Sequence, residues 1–287
     1  MAIVTISRGS HSRGGQVAER VAARLGYECI AREILLEASD HYDIPEARLV
    51  HSVKDAPTIL DRITGGRRRY VTTIQAALLK HLRRDDVVYH GLAGQVFVAD
   101  LAHVLKVRVV ADPDDRLDIV MQRDGVSRAQ AAAVLEHDDS ERRRWAQKLY
   151  GVDPADPCLY DLVIHIHKLS VEDAASLICA SVSLPQFRST QESAQLIDDL
   201  ALAADVQAAL MDLTVDIEVT AHRGEVTITT IDHLARVPSA VRPLEGRAWT
   251  VPGVTSVRVV PGLLSTPPPA PIFGSRTGPP SSRRMIA

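Results

Sequence analysis

A glycine-rich turn near the start of the chain carries the residue types best suited to chemistry. It reads Gly9-Ser10-His11-Ser12-Arg13-Gly14-Gly15 and continues into Gln16. The apolar, β-branched run 2–6 before it predicts a buried strand, and the apolar spacing of residues 16–25 predicts a helix. Between a strand and a helix, the N–H groups of such a turn point inward and cradle phosphate. The sequence therefore predicts a phosphate-binding loop at residues 9–16.

The same turn lacks two groups that usually accompany this geometry. Gly9 and Gly14 are separated by four residues, as in the Walker A motif. Gly15 and Gln16 then stand where that motif carries Lys and Ser or Thr, which contact the phosphates and Mg²⁺. A turn of this kind can also be a plain connection between strand and helix, and the motif alone leaves that alternative open.

The first two thirds of the chain alternate between strand-like and helix-like segments. This alternation predicts an α/β fold in which helices flank both faces of a parallel sheet. Ligands in such sheets bind at the carboxyl ends of the strands, where the glycine-rich turn also lies. The predicted strands after the first are 86–90, 104–111 and 161–167, and the predicted helices are 70–84, 95–102, 113–123, 127–150 and 170–183.

Two of these helices have clear start signals. Asp112 precedes Pro113, which predicts an N-cap followed by proline in the first turn. Ser170 and Asp173 have the spacing of a capping box.

A second unit follows, with a different order of predicted helices and strands. Residues 1–183 form the first predicted domain, residues 184–192 a linker, and residues 193–260 a small α+β domain with the order αββαβ. From residue 261 onward the composition turns to Pro, Gly, Ser and Arg, which predicts a disordered tail over 261–287.

Bulk composition narrows the function classes. The formal net charge of −3 gives no electrostatic case for nucleic acid as a partner. Three widely spaced cysteines form neither a disulfide framework nor a zinc set. No apolar run reaches the roughly 20 residues of a membrane span, and no signal peptide is evident, so a cytoplasmic protein without integral membrane association is expected.

Two further features have plain structural interpretations. His165 and His167 fall on one face of a predicted strand, but no third metal ligand is apparent, so no metal site is assigned. Trp145 and Trp249 are interpreted as packing residues.

Residues 1–183 resemble the cytidylate kinase-like family, a branch of the P-loop nucleoside monophosphate kinases. The resemblance implies nucleotide partners, ATP and Mg²⁺ as cofactors, and phosphoryl transfer from ATP to CMP or a similar small acceptor. It also implies that the missing Walker lysine is a trait of the family. The segments that carry the resemblance are Ile6-Ser7-Arg8, Ser12-Arg13-Gly14-Gly15-Gln16, Gly91-Leu92-Ala93-Gly94, Asp139-Ser140-Glu141-Arg142 and Tyr160-Asp161-Leu162.

The resemblance also assigns roles to individual residues. Helices after the strand 104–111 would carry lid arginines, whose guanidinium forks suit bidentate phosphate contacts. Arg13 and Arg8 are the candidates to replace the missing lysine. The implied catalytic residues are Arg116, Arg123, Asp139 and Arg142, and the implied substrate-binding residues are Arg8, Arg32, Glu33, Gly91 and Arg144.

Three positions depart from the pattern of active relatives. Gln16 lacks a hydroxyl for Mg²⁺, Ala31 stands where an acid is usual, and Leu92 replaces the arginine of a GRGA-type turn. Each lost charge-assisted contact costs about 1.5–3 kcal/mol. The alternative is therefore a catalytically degenerate kinase fold that serves as a nucleotide-sensing or protein-interaction module.

The unit 193–260 resembles a BON domain. Gly224-Glu225-Val226-Thr227-Ile228 and the phrase at residues 251–257 carry this resemblance. It implies a protein partner or a ligand for the second unit.

Overall fold

The computed structural model describes residues 2–31, 66–91, 94–214, 217–231 and 235–262. The predicted site residues Arg32 and Glu33, the substituted position Leu92 and the tail from residue 263 lie outside the described residues. The side chains of residues 66–70, 145, 148 and 149 are likewise not described, and Trp145 is among them.

The first unit is built on a five-stranded parallel sheet, which confirms the predicted α/β class. The order of its strands is β2-β3-β1-β4-β5, so β1 lies at the centre with β3 and β4 on either side. Its elements are β1 (Ile3–Arg8), α1 (Gly14–Leu25), β2 (Glu28–Ile30), α2 (Gly66–Leu82), β3 (Val87–His90), α3 (Gly94–Phe97), β4 (Val104–Ala111), α4 (Pro113–Asp124), α5 (Arg128–Tyr150), β5 (Leu162–Ile166) and α6 (Val171–Val182).

Helices cover both faces of this sheet because its central strands are apolar on both sides. In β1, Ile3 packs in a cluster with α2 and α3, whereas Val4 and Ile6 pack against α1 and α6. Burial on both faces is typical of strands in parallel sheets. The carboxyl ends of β1, β3 and β4 are thereby brought together at one edge.

The predicted helix caps form as the sequence indicates. The Asp112 carboxylate accepts a hydrogen bond from the Asp114 N–H at 2.9 Å, so α4 begins at Pro113. Ser170 and Asp173 bond each other's backbone N–H groups in a capping box, which starts α6. These caps satisfy N–H groups that have no partner inside the helix.

The second unit contains α7 (Gln191–Leu210), β6 (Ile217–His222), β7 (Glu225–Thr230), α8 (Pro238–Ala248) and β8 (Ser256–Pro261). The strands β6 and β7 pair antiparallel, and β8 pairs parallel to β7. Helix α7 begins two residues before the predicted start. β8 includes Pro261, the residue at which the predicted tail begins.

Helix α7 contributes to two hydrophobic cores. Ile197 and Ala201 pack with α2 in the core of the first unit, while Val206 and Leu210 pack against β6, β7 and α8. The two units therefore share a helix.

The interpretation of Trp249 as a packing residue is wrong. Its side chain is 53% exposed because it lies just after the C-terminal end of α8, beyond the apolar face formed by Leu244 and Ala248. No helix among the described residues is long and apolar enough to cross a membrane.

Candidate active site

The glycine-rich turn connects β1 to α1 through two residues in left-handed backbone conformation. His11 has φ 54° and Arg13 has φ 59°, and α1 begins directly after Arg13 at Gly14. Alternation of right- and left-handed residues turns successive N–H groups toward one side, which forms an anion-binding concavity. The Gly9 N–H donates to the Val109 carbonyl at 3.1 Å, so the turn is also fixed to β4.

Two serine hydroxyls in this turn are buried without a partner among the described residues. Ser10 is 2% exposed and Ser12 is 1% exposed, and neither Oγ has a hydrogen bond. A buried hydroxyl without a hydrogen bond is costly, and native proteins usually satisfy it. Phosphate oxygens, or a cation bound to them, suit these hydroxyls, so the turn fits the triphosphate of a nucleotide.

Close packing explains why the turn requires glycine at position 14. A Cβ added to Gly14 would lie 2.6 Å from the Arg8 Cβ, which is shorter than real Cβ contacts. At Gly91, which follows β3, a Cβ would lie 2.4 Å from the Tyr89 hydroxyl, and the Gly91 N–H donates to Ile6 at 3.3 Å. Gly91 is therefore placed at the same strand edge as the turn. Gln16 and Arg13 are exposed to solvent.

Arg116 links the lid helices to the turn. Its Nε donates to the Ser10 carbonyl at 2.7 Å, and its Nη2 pairs with Asp139 Oδ2 at 2.7 Å. Arg116 lies on α4 and Asp139 on α5, so one guanidinium joins three elements. This arrangement places a cation directly on the backbone of the candidate phosphate cradle.

Arg123 lies beside the turn but is engaged elsewhere. Its guanidinium forms two hydrogen bonds of 2.6 Å with Asp124, and its Nη1 is 3.5 Å from His11 Nδ1. The other ring nitrogen of His11 lies 3.5 Å from Asp138 Oδ2. Burial lowers the pKa of His11 below its usual value, and the nearby Arg123 lowers it further. His11 thus connects the turn to α4 and α5.

A cavity of about 250 Å³ opens beside the turn and brings together three of the four predicted catalytic residues and one predicted substrate-binding residue. Arg8, Arg116, Asp139 and Arg142 all line it. Arg144 does not: it is exposed and pairs with Glu141 at 2.7 Å. The remaining lining residues are Gly9, Gln95, Val96, Arg108, Val110, Ala111, Arg143, Ala146, Tyr150, Val152, Asp153, Pro154 and Ala155.

The sequence did not predict a polar network that includes the cavity residues Gln95, Arg108 and Pro154. The Tyr160 hydroxyl lies 3.1 Å from Ser7 Oγ and 2.9 Å from the Pro154 carbonyl oxygen. It also receives hydrogen bonds from Arg108 at 3.3 Å and from Gln95 at 3.4 Å. The available signal was Arg108 itself, a charged residue in the middle of an apolar strand.

The carboxylates and histidines in the described part of the chain do not cluster into a dedicated metal site. Among the described residues, no group of three or more His, Cys, Asp or Glu side chains could hold a metal ion. His165 and His167 stack with ring centroids 6.0 Å apart on the exposed side of β5. A Mg²⁺ ion would therefore take few protein ligands and would be held largely by phosphate oxygens and water, as is common for this ion.

Comparison with known proteins shows the family of this chain. The family model described as "Cytidylate kinase-like family" matches residues 3–168, which is more than half of the chain. The chain belongs to the cytidylate kinase-like family. It is also 33% identical over 106 residues to a cytidylate kinase of Methanopyrus kandleri. That match covers 34% of this chain and 54% of the relative, so it spans about half the length of the relative.

The solved structures that match this chain are more distant in sequence. An uncharacterized protein from Eubacterium ventriosum has a TM-score of 0.49 and 19% identity, and the match covers 63% of this chain and 98% of that one. A shikimate kinase from Bacteroides thetaiotaomicron has a TM-score of 0.41 and 9% identity, with 64% and 99% covered. The resemblance of the second unit to a BON domain has no counterpart in these matches.

Proposed function

We propose that this chain is an ATP-dependent, nucleoside monophosphate kinase-like protein that transfers a phosphoryl group to CMP or a similar small acceptor. The observation that carries the proposal is the juxtaposition of a phosphate cradle at residues 9–16 with an arginine-lined cavity. Phosphoryl transfer needs the phosphates held in position and their charge compensated, and these two features supply both.

The residues divide into a donor side and an acceptor side. The donor phosphates bind to the turn, chiefly through its backbone N–H groups. The residues of the turn are Gly9, Ser10, His11, Ser12, Arg13, Gly14, Gly15 and Gln16. A bound Mg²⁺ ion would neutralise charge on the phosphates, and the side-chain oxygens that the turn could offer it are those of Ser10, Ser12 and Gln16. Arg116 compensates charge at the junction because it already contacts the Ser10 carbonyl.

Asp139 is a positioning residue, since it fixes the Nη2 of Arg116. Arg123 and Arg144 reach the phosphates only if the lid helices rearrange, because both are paired elsewhere. Gly91 gives close access at the end of β3. The contact of Arg32 and Glu33 with the acceptor stays a prediction.

A coupled assay with ATP·Mg²⁺ and each common nucleoside monophosphate tests the proposal. We expect turnover with at least one acceptor, and a loss of about 100-fold or more in Arg116→Met, since the variant removes a charge from the reacting phosphates. Arg20→Met is a matched control, because Arg20 is an exposed residue of α1 that pairs with Glu172. Correctly folded protein with no turnover for any acceptor would overturn the kinase proposal.

The second candidate function is a degenerate kinase that senses nucleotide and signals through its second, BON-like unit, which would bind a protein or ligand. The shared helix α7 favours it, because α7 connects the core beneath the nucleotide site to the sheet of the second unit. This candidate predicts that ATP raises the melting temperature by the mass-action amount while no monophosphate is phosphorylated. The absence of any ATP-dependent shift would exclude it.

A further inference from the structure

The cavity beside the turn contains more arginine than its carboxylates neutralise. Five arginines line it, whereas Asp139 and Asp153 are its carboxylates. Arg116 pairs with Asp139, and Arg143 pairs with Asp153. Within the described parts of the chain, the other three arginines form no ion pair. These three are Arg8, Arg108 and Arg142.

The Arg108 guanidinium is hydrogen-bonded through one nitrogen, Nη1, and the Asp153 carboxylate lies close enough for the two charges to interact. Arg108 Nη1 donates to the Pro154 carbonyl and to the Tyr160 hydroxyl, and the guanidinium carbon lies 5.6 Å from the centre of the Tyr160 ring. The Nε and Nη2 groups of Arg108 make no hydrogen bond to a described residue. The side chain is therefore fixed in direction by Tyr160, with donors left over for a ligand in the cavity.

Arg142, on α5, also lines the cavity. It is half-buried, and burial together with the nearby charge of Arg8 lowers its pKa, while the carboxylates of Asp138 and Asp139 act in the opposite direction. Neighbouring guanidinium groups repel each other, and a bound anion relieves the part of this repulsion that the nearby carboxylates leave. Guanidinium groups match the oxygens of phosphate in a bidentate manner, and they do so best when already oriented.

We propose that Arg108 is a further substrate-contacting residue, which forms with Arg8 and Arg142 a subsite for a phosphate monoester dianion of the acceptor. This inference rests on the proposed function, since it assigns the acceptor end of that site. It requires no movement of β4, because Arg108 lies on a strand paired on both sides, with β1 and with β5. Tyr160 is the positioning residue for Arg108.

Isothermal titration of the full chain, without ATP, tests the subsite. The probes are inorganic phosphate, CMP and ribose 5-phosphate; the first reports the bare dianion, and the other two distinguish a nucleotide from another phosphate ester. We expect Arg108→Gln to weaken phosphate binding about tenfold or more, since a charge-assisted contact is lost. Tyr160→Phe should cause a smaller loss, because it keeps the charge and frees the guanidinium. Arg128→Gln is the control, because Arg128 is exposed and pairs with Asp114 on the outer side of the lid helices.

A labelling experiment on the wild-type chain covers the case in which Arg108→Gln does not fold. Phenylglyoxal modifies accessible arginines, and peptide mass mapping measures the extent at each one. Phosphate should protect Arg8, Arg108 and Arg142 but not Arg128.

Three outcomes would each overturn the subsite. The first is a folded Arg108→Gln variant with unchanged phosphate affinity, and the second is protection of Arg128 equal to that of the three cavity arginines. The third is a wild-type protein that binds none of the three probes. These outcomes leave ATP binding at the turn unaffected, whereas missing turnover with intact phosphate binding counts only against the kinase proposal.

Discussion

Replacing Gly14 with alanine tests whether the turn is a close-packed phosphate cradle. The added Cβ would lie 2.6 Å from the Arg8 Cβ. Carbon atoms in contact are about 3.5–4.0 Å apart, so the substitution demands a shift of about 1 Å. The opposing atom belongs to the base of the Arg8 side chain, at the end of a central strand, and cannot rotate away. The start of α1 must therefore move relative to β1.

The magnitude follows from two opposing effects. Alanine is favoured over glycine within a helix by about 0.5–1 kcal/mol. Overpacking costs about 1–3 kcal/mol, so Gly14→Ala should leave the free energy of unfolding unchanged or lower it by up to about 2 kcal/mol. A displacement of about 1 Å in a positioned site can lower the rate about 100-fold, and ATP affinity should fall about tenfold or more.

Gly246→Ala is the matched control for this change. Gly246 also lies in a helix, α8, but a Cβ added there meets no atom within 4 Å. It should therefore raise the free energy of unfolding by about 0.5–1 kcal/mol and leave ATP affinity unchanged. Urea unfolding and ATP titration on both variants give the comparison. If Gly14→Ala is stabilised like Gly246→Ala and binds ATP like the wild type, the close-packed cradle is wrong.

Two further predictions concern stability. Ile197→Ala should lower the free energy of unfolding by about 2–5 kcal/mol, because Ile197 is 3% exposed in the core shared with α2. Leu196 is 37% exposed on the same helix, so Leu196→Ala should change the free energy of unfolding by less than about 0.5 kcal/mol. Urea titrations of both variants measure the difference, and equal effects would show that α7 does not pack on the first unit. Lowering the pH below about 6.5 should decrease stability, because burial lowers the pKa of His103 and His11 in the folded state and the unfolded chain then binds more protons. His103→Gln should reduce this slope between pH 7.5 and 5.5, and an unchanged slope would contradict the assignment to His103.

The architecture of the first unit was predictable because its signals are local. Short apolar runs separated by turns and helix start signals, such as Asp112 before Pro113, fix each element without reference to distant residues. Alternation of strands and helices then restricts the sheet to parallel pairing with helices on both faces. The register and the order of the strands depend on packing between distant segments, and the sequence alone does not reveal them.

The site was only partly predictable for the same reason. The glycine-rich turn is a local motif, and its role as a close-packed connection follows from glycine spacing. Arg108 interrupts an apolar strand, but its direction is set by Tyr160, which lies 52 residues later. Arg144 has the same sequence signal as Arg142 on one helix, yet the 200° between them on a helical wheel places Arg144 in solvent. Only the position of α5 against the sheet separates the two.

The source of positive charge distinguishes this turn from the Walker A arrangement. In that motif a lysine within the loop reaches the phosphates, whereas here position 15 is glycine and the cation on the turn comes from α4. Arg116 reaches the Ser10 carbonyl over 2.7 Å and is held there by Asp139 of α5. The charge therefore depends on the placement of both lid helices, and any displacement of α4 breaks the Nε–O contact. If the turn binds the donor phosphates as proposed, donor binding is coupled to the position of α4 through one guanidinium. Arg116→Met is therefore the most informative single substitution for the proposed activity.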